Sequence, residues 1–279
     1  MKTKLILFTL LISVLTSFSA KSTDNKKDKQ ICQDILFELK NQNNKTTAEL
    51  VVEAGKLLMN TPYVANTLES SPEQLIVNLR ELDCTTFAEN CLALARTSKS
   101  TNSGFEDFKK ELQHIRYRDG KIDGYPSRLH YFSDWIANNE EKQLTESVSA
   151  SICNTKFEKK INFMSHHPDS YKALANNAVF LAAIDKQEKQ LSERVMYYIP
   201  TEELEAHKSL LKDGDIIGIT TNIDGLDITH VGIIVFKGNE LHFMHASSKA
   251  QKVILSEETL YNYLSSRKSA TGIMVARPL

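Results

Sequence analysis

Residues 228–248 read ITHVGIIVFKGNELHFMHASS, and the register of this stretch decides the fold. Two β-branched, apolar runs flank Lys237-Gly238-Asn239-Glu240, a turn suited to an antiparallel hairpin. A two-residue Gly-Asn loop pairs 237 with 240, and a four-residue loop pairs 236 with 241; in both, the paired numbers sum to 477. His230 then faces Ser247, and Gly232 faces His245. Strand side chains alternate between faces, so His230 and His245 share one face as diagonal neighbours, with backbones roughly 7–8 Å apart. His242 falls on the opposite face. A three-residue loop would slip the register by one step and swap the faces. A lone strand histidine is ordinarily a satisfied structural residue. Two on one face, beside the small residues Gly232, Ala246 and Ser247, supply a base and an orienting partner, which is what a nucleophile needs.

A candidate nucleophile lies at residues 81–95, ELDCTTFAENCLALA. Phe87, Cys91, Leu94 and Ala95 recur at helical spacing and form a buried face, which makes Cys91 a packing residue. The helix is expected from about 85 to 97, with Cys84 at its start. There a thiol feels the positive end of the macrodipole and nearby unpaired N–H groups, which favour the reactive thiolate. The same N–H groups suit the oxyanion of a tetrahedral intermediate. The local pattern also fits a second buried thiol, so it leaves both readings of Cys84 open.

Composition narrows the alternatives. The chain has 279 residues, 41% hydrophobic and 25% charged, with a formal net charge of −1. That is ordinary for a globular protein and gives no field favouring nucleic acid or anionic membrane. No GxxxxGK[ST], GxGxxG or zinc-type CxxC pair occurs. The first twenty residues, MKTKLILFTLLISVLTSFSA, have the basic start, short apolar run and small-residue end of a secretory signal peptide, cleaved after Ser19 or Ala20. Its removal leaves 32 basic against 35 acidic residues, a net charge of −3. The mature protein is expected to be exported, periplasmic or secreted, with no membrane-spanning segment. The four cysteines, Cys32, Cys84, Cys91 and Cys153, do not form a disulfide framework; Cys84 and Cys91 lie two turns apart on one helix, and a Cys32–Cys153 bridge stays open.

Along the chain, residues 20–30 read as a mobile polar leader. Residues 31–59 carry apolar positions at helical spacing, TPYVANTLE (61–69) is a loop, and PEQLIVNLR (72–80) is a strand or turn. Helix-like pieces and polar loops alternate through 104–210. From 211 onward, LKDGDIIGITT, ITHVGIIVF, ELHFMHASS, KVILS and GIMVARP are short β-branched runs that read as an antiparallel meander. Helices first and strands last give an α+β fold.

The order TPYV, LDCTTF, LKDGDII, ITHVGIIV, LHFMHASS closely resembles the NlpC/P60 superfamily of cell-wall cysteine hydrolases. The Cys-Thr-Thr-Phe variant, the SRLHYFSDWI segment (127–136) and the long middle resemble its DUF1460 subgroup, described as N-acetylmuramoyl-L-alanine amidase-like. The resemblance spans about residues 50–277 and implies a papain-like fold in which N-terminal helices, with the nucleophile at a helix start, pack on a C-terminal antiparallel sheet. It implies a single catalytic domain over 47–279 with a largely helical insertion at about 100–210, preceded by the signal at 1–20 and a leader and helix at 21–46. Cys84 matches the nucleophile, His230 the general base and His245 the orienting residue. Tyr63 matches a tyrosine that lines the site, and Asp83 precedes the nucleophile and can cap its helix. Two departures bear on specificity: Tyr63-Val64-Ala65-Asn66 lacks the usual Gly-Gly, and Cys-Thr-Thr replaces the commoner Cys-Ser-Gly.

Ser127, Arg128, Tyr131 and Trp135 belong to the middle segment, which fits either a plain amphipathic helix or a substrate wall. In the second reading Arg128 grips a carboxylate, and Tyr131 or Trp135 stacks on a sugar. His166-His167-Pro168 lacks further ligands at useful spacing for a metal. The expectation is therefore a monomeric peptidoglycan hydrolase acting on muropeptides through Cys84, His230 and His245. The subgroup resemblance points to the lactyl–L-Ala amide, and the chemistry needs no metal or organic cofactor. Alternatives are a γ-D-glutamyl–diamino acid endopeptidase and, in another class, an inactive cell-wall binding module.

Overall fold

The hairpin forms in the expected register: Lys237 pairs with Glu240, Phe236 with Leu241 and Ile233 with Met244. The structure is a computed structural model that describes residues 26–42 and 44–279; the expected export signal lies outside the described residues. The helices are α1 (Lys26–Lys40), α2 (Thr47–Leu57), α3 (Cys84–Lys99), α4 (Phe105–Arg116), α5 (Phe132–Glu141), α6 (Ser149–Ile152), α7 (Phe163–His166), α8 (Ala178–Glu193), α9 (Leu204–His207) and α10 (Leu260–Ser265). The strands are β1 (Thr145–Ser147), β2 (Thr155–Lys156), β3 (Tyr197–Pro200), β4 (Ile216–Thr221), β5 (Ile228–Lys237), β6 (Glu240–Ser247), β7 (Lys252–Leu255) and β8 (Ala270–Pro278). None of these helices is long and apolar enough to cross a membrane.

The strands make one antiparallel sheet in the order β2-β3-β8-β4-β5-β6-β7, with β1 also paired to β8. The fold is α+β, as expected, but the sheet is not a simple meander. After β7 the chain crosses through α10, and β8 inserts between β3 and β4. The middle of the chain is tied in by the same strand, since β1 and β3 both pair with it.

Both faces of the sheet are covered, which explains why the strands read as continuous apolar runs. Val231, Ile233, Met244 and Ala246 pack with α1–α5 in one core, while Ile217, Ile219, Ile234, Phe243 and Ile273 pack with Leu260 and Leu264 of α10 in another. A strand buried on both sides needs apolar residues at every position, so the period-two pattern fades.

The Asp213-Gly214-Asp215 turn locks α2 to the sheet. Gly214 has φ +86°, and a Cβ there would lie 2.1 Å from the Ala48 carbonyl oxygen, so only glycine fits. Asp215 is fully buried and accepts two 2.8 Å hydrogen bonds from Arg277 of β8. The motif is structural here.

Two local expectations change. The leader is ordered from Lys26 as the first turn of α1, because Asp28 is buried and accepts from the Leu79 N–H (2.9 Å) and Arg80 Nε (3.1 Å). PEQLIVNLR is irregular chain rather than a strand. Side chains take up its backbone groups: Asp28 bonds the Leu79 N–H, and Arg116 Nη1 donates to the Ile76 carbonyl at 2.6 Å.

Candidate active site

Cys84 is the first residue of α3, one position earlier than the expected helix start. A reciprocal cap fixes it there. The Asp83 carboxylate accepts from the Thr86 N–H (2.8 Å), and Thr86 Oγ1 accepts from the Asp83 N–H (2.9 Å). Asp83 thus holds the helix start, the capping role expected of it, and its carboxylate is committed to that role. The Cys84 thiol is half-buried against β5 and receives hydrogen bonds from the Val231 backbone and from Thr85. Burial and the adjacent Asp83 carboxylate nevertheless push the thiol up to about 11, against the downward pull of those bonds. The expected resting thiolate is therefore not what the environment favours: desolvation outweighs the helix start.

His230 on β5 and His245 on β6 meet as the register requires. His230 Nε2 lies 2.7 Å from His245 Nδ1, with the rings at 88° and their centroids 4.8 Å apart. Burial, then the positive charge of Arg267, holds His230 down at about 4. Burial, His230 and Arg267 hold His245 at about 3. At neutral pH both rings are uncharged and share one proton in the bond between them. His242 is on the opposite face and bonds the Ser256 carbonyl through Nδ1 at 3.0 Å.

Residues absent from the sequence reading complete this side. Tyr263 of α10 lies edge-on to His245 (5.6 Å) and nearly parallel to His230 (6.2 Å). The Arg267 guanidinium sits 3.2 Å from the Tyr263 ring centroid and donates to the Tyr263 carbonyl at 2.7 Å. The signal available in the sequence was the i, i+4 spacing of Tyr263 and Arg267, which no motif marks.

His230 joins two hollows. A recess of about 170 Å³ is lined by Cys84, Thr85, His130, Tyr131, Asp227 and His230, among others. A cleft of about 870 Å³ on its other side is lined by His230, His245, Lys249, Lys252, Tyr263 and Arg267, among others. Tyr63 stands near Cys84: burial, with the charges of Cys84 and Asp83, raises its phenol. Its N–H donates to the Gln251 carbonyl at 3.0 Å, which ties the Tyr63 loop to the start of β7.

The expected wall residues behave differently. Ser127 is buried and uses its hydroxyl locally, donating to the Gly124 carbonyl (2.7 Å) and accepting from the Asp123 N–H (2.9 Å). The Arg128 side chain is 6% exposed and committed to Glu69 (2.8 Å), Glu73 (3.7 Å) and the Leu68 carbonyl (3.2 Å), so it grips protein carboxylates rather than an incoming one. Trp135 is fully buried and stacked on Phe132 at 4.9 Å, leaving no ring face for a sugar. Tyr131 does line the recess, but its ring is buried and its hydroxyl is spent on Glu188 Oε1 and the Met164 N–H. All four cysteines are free thiols, so Cys32 and Cys153 are not bridged.

A cysteine at a helix start, set beside a hydrogen-bonded histidine pair in a cleft, suits acyl transfer at a carbonyl. Residues 53–273 match the family model described as AmiA-like, N-acetylmuramoyl-L-alanine amidase-like. The chain belongs to that family. Among solved structures it is similar to an N-acetylmuramoyl-L-alanine amidase from Bacteroides uniformis, at 40% identity and a TM-score of 0.80, covering 84% of this chain and 99% of that one. A Bacteroides fragilis protein that carries the provisional name xylanase is similar at 45% identity and a TM-score of 0.77, covering 80% and 99%. A Legionella pneumophila protein of the DUF1460 family shares the fold at 22% identity and a TM-score of 0.66, covering 90% and 95%. Among curated proteins none matches.

Proposed function

We propose that this protein is a cysteine N-acetylmuramoyl-L-alanine amidase of the NlpC/P60 superfamily, with a papain-like site, that cleaves the lactyl–L-Ala amide of exported-compartment muropeptides. The observation that carries the reading is the 2.7 Å contact between His230 and His245, with His230 lining the same recess as Cys84. The family match and the name of the Bacteroides uniformis relative support the substrate class.

The proposed steps begin at the histidine pair. His230 Nε2 is occupied by His245, so Nδ1 is the nitrogen that takes the Cys84 proton. The thiolate attacks the lactyl carbonyl carbon, and the oxyanion is held by N–H groups at the first turn of α3. The imidazolium returns its proton to the leaving L-Ala nitrogen, the C–N bond breaks, and a thioester remains on Cys84. Water, deprotonated by His230, releases the muramoyl carboxylate and restores the thiol. His245 holds the His230 ring and its tautomer throughout, and Tyr63 borders the nucleophile.

The test is mass spectrometry of defined muropeptides after digestion, with and without an anhydro sugar end. A free L-Ala-initiated peptide and an amino sugar carrying a free lactyl carboxylate are expected. An amino sugar that keeps L-Ala and D-Glu while the peptide is shortened would instead establish the γ-D-glutamyl endopeptidase, and no turnover of any muropeptide would leave a binding module.

A further inference from the structure

Away from both hollows, three donor side chains converge. Cys153 follows α6, and Glu203 and His207 lie four residues apart, just before and at the end of α9, so they share one face. The Cys153 Sγ, a Glu203 oxygen and a His207 ring nitrogen all lie within 4.8 Å of one another. None of the three residues lines the recess or the cleft at Cys84 and His230.

We propose that Cys153, Glu203 and His207 bind a divalent cation of the zinc class. Thiolate, imidazole and carboxylate together are a borderline-soft donor set that this ion takes. Two of the three edges are already near ligand spacing: Sγ is 3.2 Å and His207 Nε2 is 3.4 Å from Glu203 Oε2, and the Cys153–His207 edge lies within 4.8 Å. A tetrahedral ion with bonds of about 2.3 Å to sulfur and about 2.0 Å to nitrogen and oxygen keeps its donors roughly 3.3–3.5 Å apart. The ion enters among the three donors by drawing the Cys153 and His207 side chains onto Glu203. Cys153 is buried, whereas Glu203 and His207 are half-buried, so one side opens to solvent and a water completes the fourth position.

Thr155 Oγ1, 3.3 Å from Sγ, is placed to donate to the thiolate and orient it. On binding, the thiol proton leaves to solvent and the S–metal bond forms. The site clasps the end of α6 to the segment leading into β4, beside a core that already holds Val148, Ile152 and Leu204. The bound ion braces the middle of the chain against the sheet. The three residues are separated by up to 54 positions (207 − 153), so no short motif announces them.

Cobalt(II) is the probe. Titrating metal-free protein with Co²⁺ is expected to give one equivalent of a tetrahedral d–d spectrum with a thiolate-to-cobalt charge-transfer band, displaced by Zn²⁺. Cys153→Ser is expected to abolish the charge-transfer band, and His207→Ala, at a partly exposed position that should not disturb folding, to weaken binding at least tenfold. Cys84→Ala is expected to leave the spectrum unchanged. A wild-type protein without the band, or a band that survives Cys153→Ser and vanishes in Cys84→Ala, overturns the assignment.

Discussion

Around Cys84 the polar groups keep a working end free. His230 and His245 bond to each other, both rings are held neutral, and His230 faces hollows on either side. Around the fully buried Trp135 the polar and aromatic side chains close on one another. Arg128 is consumed by Glu69 and Glu73, Tyr131 by Glu188, Asp134 by Arg118 and Arg194, and the Trp135 ring by Phe132. The two regions teach that an arginine and a tryptophan in a cleft-forming segment can support the wall without lining it, and that a tyrosine can line it with its hydroxyl already spent on protein partners. One region is expected to fail in catalysis when altered, the other in stability.

The largest effect separates them most sharply. Cys84→Ala is expected to lower kcat/KM by roughly 10⁴-fold or more while leaving thermal unfolding nearly unchanged. Trp135→Ala should do the reverse, costing about 3–5 kcal/mol of stability in denaturant titration because it empties a fully buried site. If Trp135→Ala folded with wild-type stability and only KM rose, the ring would be a substrate platform after all. Arg128→Gln is expected to cost about 2–3 kcal/mol, less than a fully enclosed pair because Glu69 remains partly in water, with KM unchanged in the molecules that stay folded.

The smallest effect concerns pH. In the proposed mechanism His230 must be neutral to accept the thiol proton, and burial with Arg267 lowers its pKa to about 4. Activity is therefore expected to fall only as pH drops through about 4, well below the 6.5 of an ordinary histidine. Arg267→Gln removes a positive charge that opposes imidazolium, so the acid limb of kcat/KM should move upward; a downward shift would reverse the assigned sign. The same depression makes the folded state lose stability as pH falls from about 6.5, where the unfolded chain begins to bind protons the folded rings refuse.

What the sequence showed follows the same division. The hairpin register, the helix start at Cys84 and the pairing of His230 with His245 were legible because turn length and strand alternation are local rules. The insertion of β8 between β3 and β4 was not, since nothing in GIMVARP says which strand edge it joins. Nor was the fate of Arg128, which depends on partners up to 60 residues away such as Leu68 and Glu69. The thiol's rise to about 11 escaped for a related reason: the dipole at a helix start is visible in sequence, but burial against Val231 and the Asp83 charge that outweigh it are not.

The most direct test of the central claim is to quench the reaction with acid during turnover of a defined muropeptide and map the protein by mass spectrometry. The account predicts an N-acetylmuramoyl thioester on the peptide that contains Cys84. An acyl group that also carries L-Ala and D-Glu, or a modification on any residue other than Cys84, would contradict it.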